Sequence, residues 1–354
     1  MKIGLLLPGN IYFCPFVNIY TKILKESKID FDILFWDREN KDEKDGIAYS
    51  RPFPYNSAGK IKWLFEYMLY VRFLVRKIKK NKYDKLIVFG PQVGLFLYFF
   101  LRKRYYKRFC FDYRDIYIEQ KFPRLFRKFL QNSALNVISS PGFIKYLPSG
   151  FDYIMSHNFD IETLDSTNIK IKHSIDKPAV ITTIGSIRDY EQNHQVMMAL
   201  SNHPDFIVKF IGRPGNAGKL LQEDSIKHKI NNVEFLGFYD KKDEATLIAD
   251  ADFLNIYYPN INTHATALSN RFYIALISKK PMIVTKYSIQ GDYIEKYNLG
   301  LAITNCSNLA EDILCFIEKY DHSDFKKNCD NLMHIFLEDY NYFKERLISF
   351  LSEN

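Results

Sequence analysis

Short apolar runs alternate with longer stretches of helical period along most of the chain. Residues 2–8 (KIGLLLP) are almost unbroken in apolar character, which predicts a strand buried on both faces. Gly9-Asn10 then predicts a turn into a helix reaching about Lys28. Residues 31–36, 86–89, 109–113 and 136–139 repeat the strand signal, the last closing on a turn at Pro141-Gly142. Between them, residues 61–80 place apolar side chains on a broad helical face and crowd Lys and Arg at the end. Residues 160–177 break the rhythm with Thr, Ser, Asn and Lys and read as a linker. Beyond it, strands are predicted at 179–184, 206–211, 233–236, 253–257 and 281–285, and helices at 196–201, 217–229, 243–249, 270–278 and 290–297. Strands separated by helices build βαβ units and therefore parallel sheets. The expectation is two α/β domains, 1–165 and 175–334, followed by an amphipathic helix over 336–351 within a terminal segment 335–354. No repeat of solenoid length is evident.

Composition narrows the class. The chain has 354 residues and a formal net charge of +8, yet the charge is divided: the first 150 residues balance at +15 and the remaining 204 at −7. A basic half joined to an acidic half suggests two bodies with different partners. Five cysteines (Cys14, Cys110, Cys306, Cys315 and Cys329) form no CxxC pair, which argues against a disulfide framework or a zinc site and fits a reducing cytoplasm. The start, MKIGLLLPGN, lacks a small-residue cleavage site, so no signal peptide is expected. The most apolar stretch, 86–101, is interrupted by Gly90, Pro91, Gln92 and Gly94 and ends on Arg102-Lys103-Arg104. It falls short of the ~20 residues that span a bilayer. Aromatic residues make up 16%, which is read as a large aromatic core before any base-stacking surface.

In an open parallel sheet, ligands gather beyond the carboxyl ends of the strands. That rule selects Gly9, Asn10, Gly90, Arg114, Asp115, Ser139 and Ser140 in the first half. In the second it selects Gly185, Ser186, Arg188, Gly212, Arg213, Tyr258 and the loop 263–270. Arginines at strand ends, with Arg271 opening a helix, form a set able to hold a diphosphate; taken singly, each also reads as a surface arginine. Other patterns carry less. The run from Gly212 to Gly218 has neither dinucleotide-fold nor Walker spacing, and Asp250-Ala251-Asp252 reads as a helix-to-strand turn. There is no HExxH and no GxSxG.

An ordered series in the second half carries a resemblance. ITTIGSIR (181–188), FIGR (210–213), VEFLGF (233–238), ADADF (249–253) and above all NRFYIALISKKPMIV (270–284) follow one another, closing on NLGL (298–301). The series resembles the donor domain of family-4 glycosyltransferases of the GT-B fold. The resemblance implies two Rossmann-like α/β domains facing a cleft, with the C-terminal helix crossing back to the N-terminal domain. It implies transfer of a sugar from a UDP- or GDP-sugar with no metal or other cofactor. Gly185, Arg188, Arg213, Ser269, Asn270 and Arg271 match the donor side. Gly9, Asn10 and Arg114 match the acceptor side, and Asp115 is the candidate to orient the acceptor hydroxyl or take its proton. The family's E-x7-E pair is missing, with Thr266 and Ile274 at its positions, so how the ribose is held departs from the pattern.

The basic half adds a partner. Residues 60–82 hold eight Lys or Arg against one Glu, interleaved with Trp63, Phe65, Tyr67, Tyr70 and Phe73, and 102–108 and 121–128 are also basic. A cationic, aromatic-bearing helix suits an anionic membrane surface, while a merely solvated face explains the same residues. No pattern points to nucleic acid. The expectation is a cytoplasmic enzyme on the inner face of the membrane, acting on a glycan or lipid-linked acceptor in surface polysaccharide, O-antigen or capsule assembly. A sugar-nucleotide epimerase of the same fold and a non-catalytic nucleotide-sugar-binding protein are the alternatives.

Overall fold

The computed structural model describes residues 1–53, 59–159, 174–240 and 243–353; most of the predicted linker, 160–173, lies outside them. The chain divides into two compact units, Met1–Asn158 with Glu338–Asn354, and Phe159–Leu337.

The first unit is built on seven parallel strands. They are β1 (Lys2–Leu6), β2 (Asp30–Asp37), β3 (Ile47–Ser50), β4 (Lys85–Phe89), β5 (Phe109–Tyr113), β6 (Leu135–Ile138) and β7 (Ile154–Met155), in the order β3-β2-β1-β4-β5-β6-β7. β1 and β4 are neighbours at the centre, so both faces must be covered, and Ile3, Leu5, Leu6, Leu86, Ile87, Val88 and Phe89 are all fully buried. On one face α1 (Val17–Glu26) contributes Val17, Tyr20, Ile23 and Leu24 to the core. The predicted continuous helix after β1 is instead a 3-10 turn, Ile11–Phe13, and then α1; Pro15 between them has no N–H to continue a ladder.

On the next helix, two tyrosines point inward. In α2 (Lys60–Asn81), Tyr67, Tyr70, Leu74 and Ile78 are buried. The Trp36 ring lies 5.3 Å from that of Tyr70, 5.7 Å from Phe53 and 5.9 Å from both Tyr49 and Tyr67. The expectation that these tyrosines face a partner is therefore corrected: they fill the core. Three further helices lie in this unit among the described residues, α3 (Pro91–Phe96), α4 (Tyr98–Arg104) and α5 (Pro123–Asn132), none of them read from the sequence.

The second unit repeats the plan with β8 (Ala179–Ile184), β9 (Phe206–Ile211), β10 (Val233–Gly237), β11 (Phe253–Ile256), β12 (Met282–Thr285) and β13 (Gly300–Ile303), ordered β10-β9-β8-β11-β12-β13 and parallel throughout. Its helices are α6 (Tyr190–Ala199), α7 (Gly215–Lys227), α8 (Glu244–Leu247), α9 (Asn262–Thr266), α10 (Asn270–Ile277), α11 (Ile289–Tyr297) and α12 (Leu309–Glu318). Asp252 does structural duty: its carboxylate accepts from the Val180 N–H at 2.8 Å and fixes the start of β11 against β8.

The last helix, α13 (His322–Ser352), is 31 residues long, twice the predicted span. Phe325, Cys329, Leu332, Met333 and Phe336 belong to the second unit's core, while Phe343, Leu347, Phe350 and Leu351 belong to the first unit's. The helix thus returns the chain to the unit where it began. Buried Lys85 secures its end by donating to the carbonyls of Phe350 and Glu353, placing a cation on the negative end of the helix.

Candidate functional site

In both sheets the strand order reverses beside the first strand, between β1 and β4 and between β8 and β11. Such reversal points leave a crevice beyond the carboxyl ends of the strands.

In the second unit the crevice is shaped by two glycines. Gly185 (φ +99°) and Gly212 (φ +134°) follow β8 and β9, and a Cβ on Gly212 would overlap the Gly185 carbonyl oxygen. Only glycine allows this approach. The paired backbone continues past the strands, Gly185 N–H donating to Ile211 at 2.8 Å and Ile187 N–H to Arg213 at 3.0 Å. Arg188 and Arg213 are thereby carried to one recess of about 540 Å³, whose wall includes the first residues of α7. A helix N-terminus and two exposed guanidinium groups on one recess suit a phosphate-bearing ligand.

Arg271 reaches the same strand ends from α10. Its Nε donates to the Ile184 carbonyl and its Nη2 to the Ser186 carbonyl at 2.9 Å, and the guanidinium carbon lies 5.6 Å from the centre of the Tyr258 ring. It therefore both braces the end of β8 and brings positive charge to the crevice. Ser269, expected on the donor side, stands at the start of that helix. Its Oγ caps α10 by accepting from Phe272 N–H, and its own N–H and hydroxyl donate to Gln290 Oε1 at 3.1 and 2.7 Å. Ser269 positions the helix start, and the exposed Asn270 stands next to it.

Supporting residues not foreseen from the sequence are polar side chains within apolar surroundings. Buried Asn255 in β11 donates to Thr183 Oγ1 at 2.9 Å and to Asn193 Oδ1 at 3.3 Å. Asn193 in turn donates to the carbonyls of Arg188 and Asp189 at 2.6 and 3.1 Å, so a relay from the sheet fixes the arginine-bearing turn. Thr285 Oγ1 holds Tyr258 from both sides of its peptide, accepting at 2.8 Å and donating at 2.6 Å.

In the first unit the expected acceptor-side residues separate. Around Gly9 an added Cβ would meet nothing, so the end of β1 is open. Asn10 is buried and occupied: its amide donates to Asp37 at 2.7 Å and Glu43 at 2.9 Å, and its carbonyl accepts from Arg38 N–H at 3.0 Å. Arg114 is also held within the fold, donating to Asp112 at 2.7 Å and to the Ser156 carbonyl at 3.0 Å, with Tyr20 completing Asp112 at 2.6 Å. Both therefore anchor the fold at this point. What they frame is Asp115, which is exposed, and the turn Ile11–Phe13. Glu43 accepts from the N–H groups of Ile11 and Tyr12 at 3.1 and 2.6 Å, and Lys41 sits 4.0 Å from the Tyr12 ring centre.

No protein-family model and no curated protein matches the sequence. Solved structures do match along the whole chain. The apo form of the lipopolysaccharide outer core galactosyltransferase WaaB superposes with a TM-score of 0.70 at 15% identity, covering 99% of each chain. HepE of Anabaena, in complex with UDP and glucose, gives 0.67 at 16% identity over 99% of this chain and 100% of its own. A Listeria monocytogenes protein assigned as a UDP-N-acetylglucosamine 2-epimerase gives 0.57 at 10% identity, with 93% and 90% covered. The chain has the GT-B fold.

On this GT-B frame the positions of the missing E-x7-E pair are turned to packing. Thr266 is buried and its hydroxyl donates to the Asn262 carbonyl at 2.7 Å, while Ile274 packs against the second unit's core. Neither offers a carboxylate to a ribose.

Asp115 is the group of unusual acidity. Protein packed around its carboxyl raises its pKa from 3.8 to about 6; Arg114 opposes the rise and Glu119 adds to it. The side chain nevertheless reaches solvent, which screens the effect of the surrounding protein. A carboxylate that ionises near neutrality is matched to accepting a proton from a hydroxyl. Nearby Cys14 is no nucleophile: burial, then Asp115 and Glu43, push its thiol up to about 12.

Proposed function

We propose that this protein is a glycosyltransferase that moves a sugar from a UDP-sugar to a hydroxyl of a lipid-linked glycan, in the assembly of a surface polysaccharide on the cytoplasmic face of an anionic membrane. The observation that carries the reading is the recess beyond the ends of β8 and β9 that Arg188 and Arg213 line together, with Arg271 bonded to Ser186 of its wall. A GT-B relative of matching length holds UDP and glucose, and another acts on lipopolysaccharide. In the reaction the acceptor oxygen attacks the anomeric carbon, the bond to the β-phosphate oxygen breaks, and its electron pair leaves with UDP. The three arginines and the start of α10 stabilise the charge that grows on the diphosphate, and no metal or other cofactor is assigned a step. Asp115 orients the hydroxyl or takes its proton.

A thermal-shift screen of UDP, GDP and their sugars tests the donor half, since a ligand of the native state raises the melting temperature. The expected result is a rise with one UDP-sugar, followed by turnover of that compound when glycan acceptors are supplied. Arg188→Ala should lose both. Unchanged binding in that variant would remove the donor site as assigned here, and conversion of the UDP-sugar to an isomer with no acceptor would select the epimerase reading.

A further inference from the structure

The helix α2 carries two apolar faces, and packing accounts for only one. Tyr67, Tyr70, Leu74 and Ile78 turn to the core. On the opposite side Ile61, Leu64, Phe65 and Met68 are 87%, 44%, 57% and 58% exposed. Their spacing of three and four residues lines them up as one stripe along the first two turns. The same line continues through Arg72, Arg76 and Lys79, all exposed, with Lys62 and Lys80 at its sides. The helix has one acidic residue, Glu66, and it is buried off this face in a pair with Arg51, 2.6 Å away. The outer face is therefore apolar in its first half and dominated by cations in its second, with the half-buried Val75 beside them.

We propose that α2 lies in the headgroup–acyl boundary of an anionic lipid bilayer, with Ile61, Leu64, Phe65 and Met68 inserted and Arg72, Arg76 and Lys79 on lipid phosphates. Among the described residues no helix is long and apolar enough to cross a membrane, so this is an interfacial contact. The charge pattern selects the occupant. A second copy meeting this face antiparallel would set each apolar half against the other's cations, and a parallel copy would set cations against cations. A nucleic acid would use the arginines and leave the stripe in water. A bilayer satisfies both halves at once, because its acyl boundary and its phosphates are separated by depth. This deepens the membrane part of the proposed function and rests on it, adding that contact is made by insertion and not by charge alone.

Flotation of the full chain on vesicles of phosphatidylcholine, or of equal parts phosphatidylcholine and phosphatidylglycerol, tests the insertion without any sugar nucleotide. The wild type is expected to float with the anionic vesicles and to stay bound in part at about 1 M salt, where the Debye length falls to about 3 Å and surface charge is screened. The double variant Ile61→Ser/Phe65→Ser should bind at least about tenfold more weakly at low and at high salt. Arg76→Ala/Lys79→Ala should weaken binding at low salt. An Ile61→Trp variant should be quenched by brominated lipid. Flotation by the serine variant equal to the wild type overturns the proposal, and so does a wild type that fails to float. Dimers of the wild type that the serine pair converts to monomers also overturn it, by assigning the stripe to self-association. Ile61 and Phe65 are exposed and belong to the first unit, whereas the arginine recess is lined by residues of the second, so UDP-sugar turnover in solution should be unaltered. Loss of flotation and failure of the transferase reading are thus told apart. Binding abolished by salt and indifferent to the serine pair would keep a charge-only membrane contact and refute insertion.

Discussion

Replacing Asp115 by Asn tests the acidity and the chemistry of one side chain together. The folded-state pKa of about 6 lies some two units above the usual 3.8. At about 1.4 kcal/mol per unit, ionising this carboxyl in the folded protein carries a gross penalty of about 3 kcal/mol. Because the side chain reaches solvent, screening reduces that to about 1 kcal/mol. The raised pKa means that the penalty is absent below about pH 4, develops as the unfolded chain ionises first, and is complete above about pH 6. Asp115→Asn, which cannot ionise, should therefore stabilise the protein by about 1 kcal/mol at pH 7.5, roughly 2 °C in melting temperature. The gain should shrink towards pH 4.5. Transfer should show the opposite sign, falling by about 10²–10⁴-fold if the carboxylate takes the proton. The wild-type rate should rise with pH to a plateau above an apparent pKa near 6. Thermal unfolding at the two pH values and a pH–rate profile with the screened UDP-sugar supply the measurements. A variant that is less stable at pH 7.5, or one that transfers within a few-fold of the wild type, would refute the assignment.

Arg271→Ala should lower turnover by at least about 10²-fold and also destabilise, since it removes the donors on the Ile184 and Ser186 carbonyls; Arg271→Lys should recover charge but not the two-point brace, leaving turnover intermediate. Gly212→Ala forces a Cβ onto the Gly185 carbonyl at a positive φ, and should cost about 3 kcal/mol in denaturant unfolding and abolish the UDP-induced thermal shift; a normal shift would show that the glycine pair does not shape the donor recess. His157, paired with Asp339 at 2.8 Å, has its pKa lowered by burial, with Asp339 opposing and Arg114 adding. The unfolded chain thus takes this proton first, so stability should fall as pH drops below about 6.5, by up to about 1.4 kcal/mol per pH unit. His157→Gln should flatten that part of the stability curve, and an unchanged slope would clear His157.

The central strands were legible because a parallel strand covered on both faces must be apolar at nearly every position, as β1 and β4 are. The edges were not: β3 has four residues, none of them fully buried, and β7 only two, so neither shows a run nor an alternation. The same contrast divides the site. Gly185, Arg188, Gly212 and Arg213 could be picked out because the end of a parallel strand is a place that chain order alone marks. Asn10 and Arg114 occupy equally marked places yet are consumed by partners far along the chain, Glu43 at a separation of 33 residues and Ser156 at 42. Position along the strand says where a side chain begins; only the partners say whether its polar atoms remain for a ligand. The useful sequence signal for such anchors is the reverse of the one sought for ligand contacts. Asn255 within Phe253–Ile256 is a polar residue where a buried strand has no use for one, so a burial cost must be met by a partner. That partner, Asn193, is what holds the Arg188 turn in place. A lone polar residue in a buried strand next to a strand-end arginine is therefore evidence for a positioned site, whereas the arginine alone is evidence only for a location.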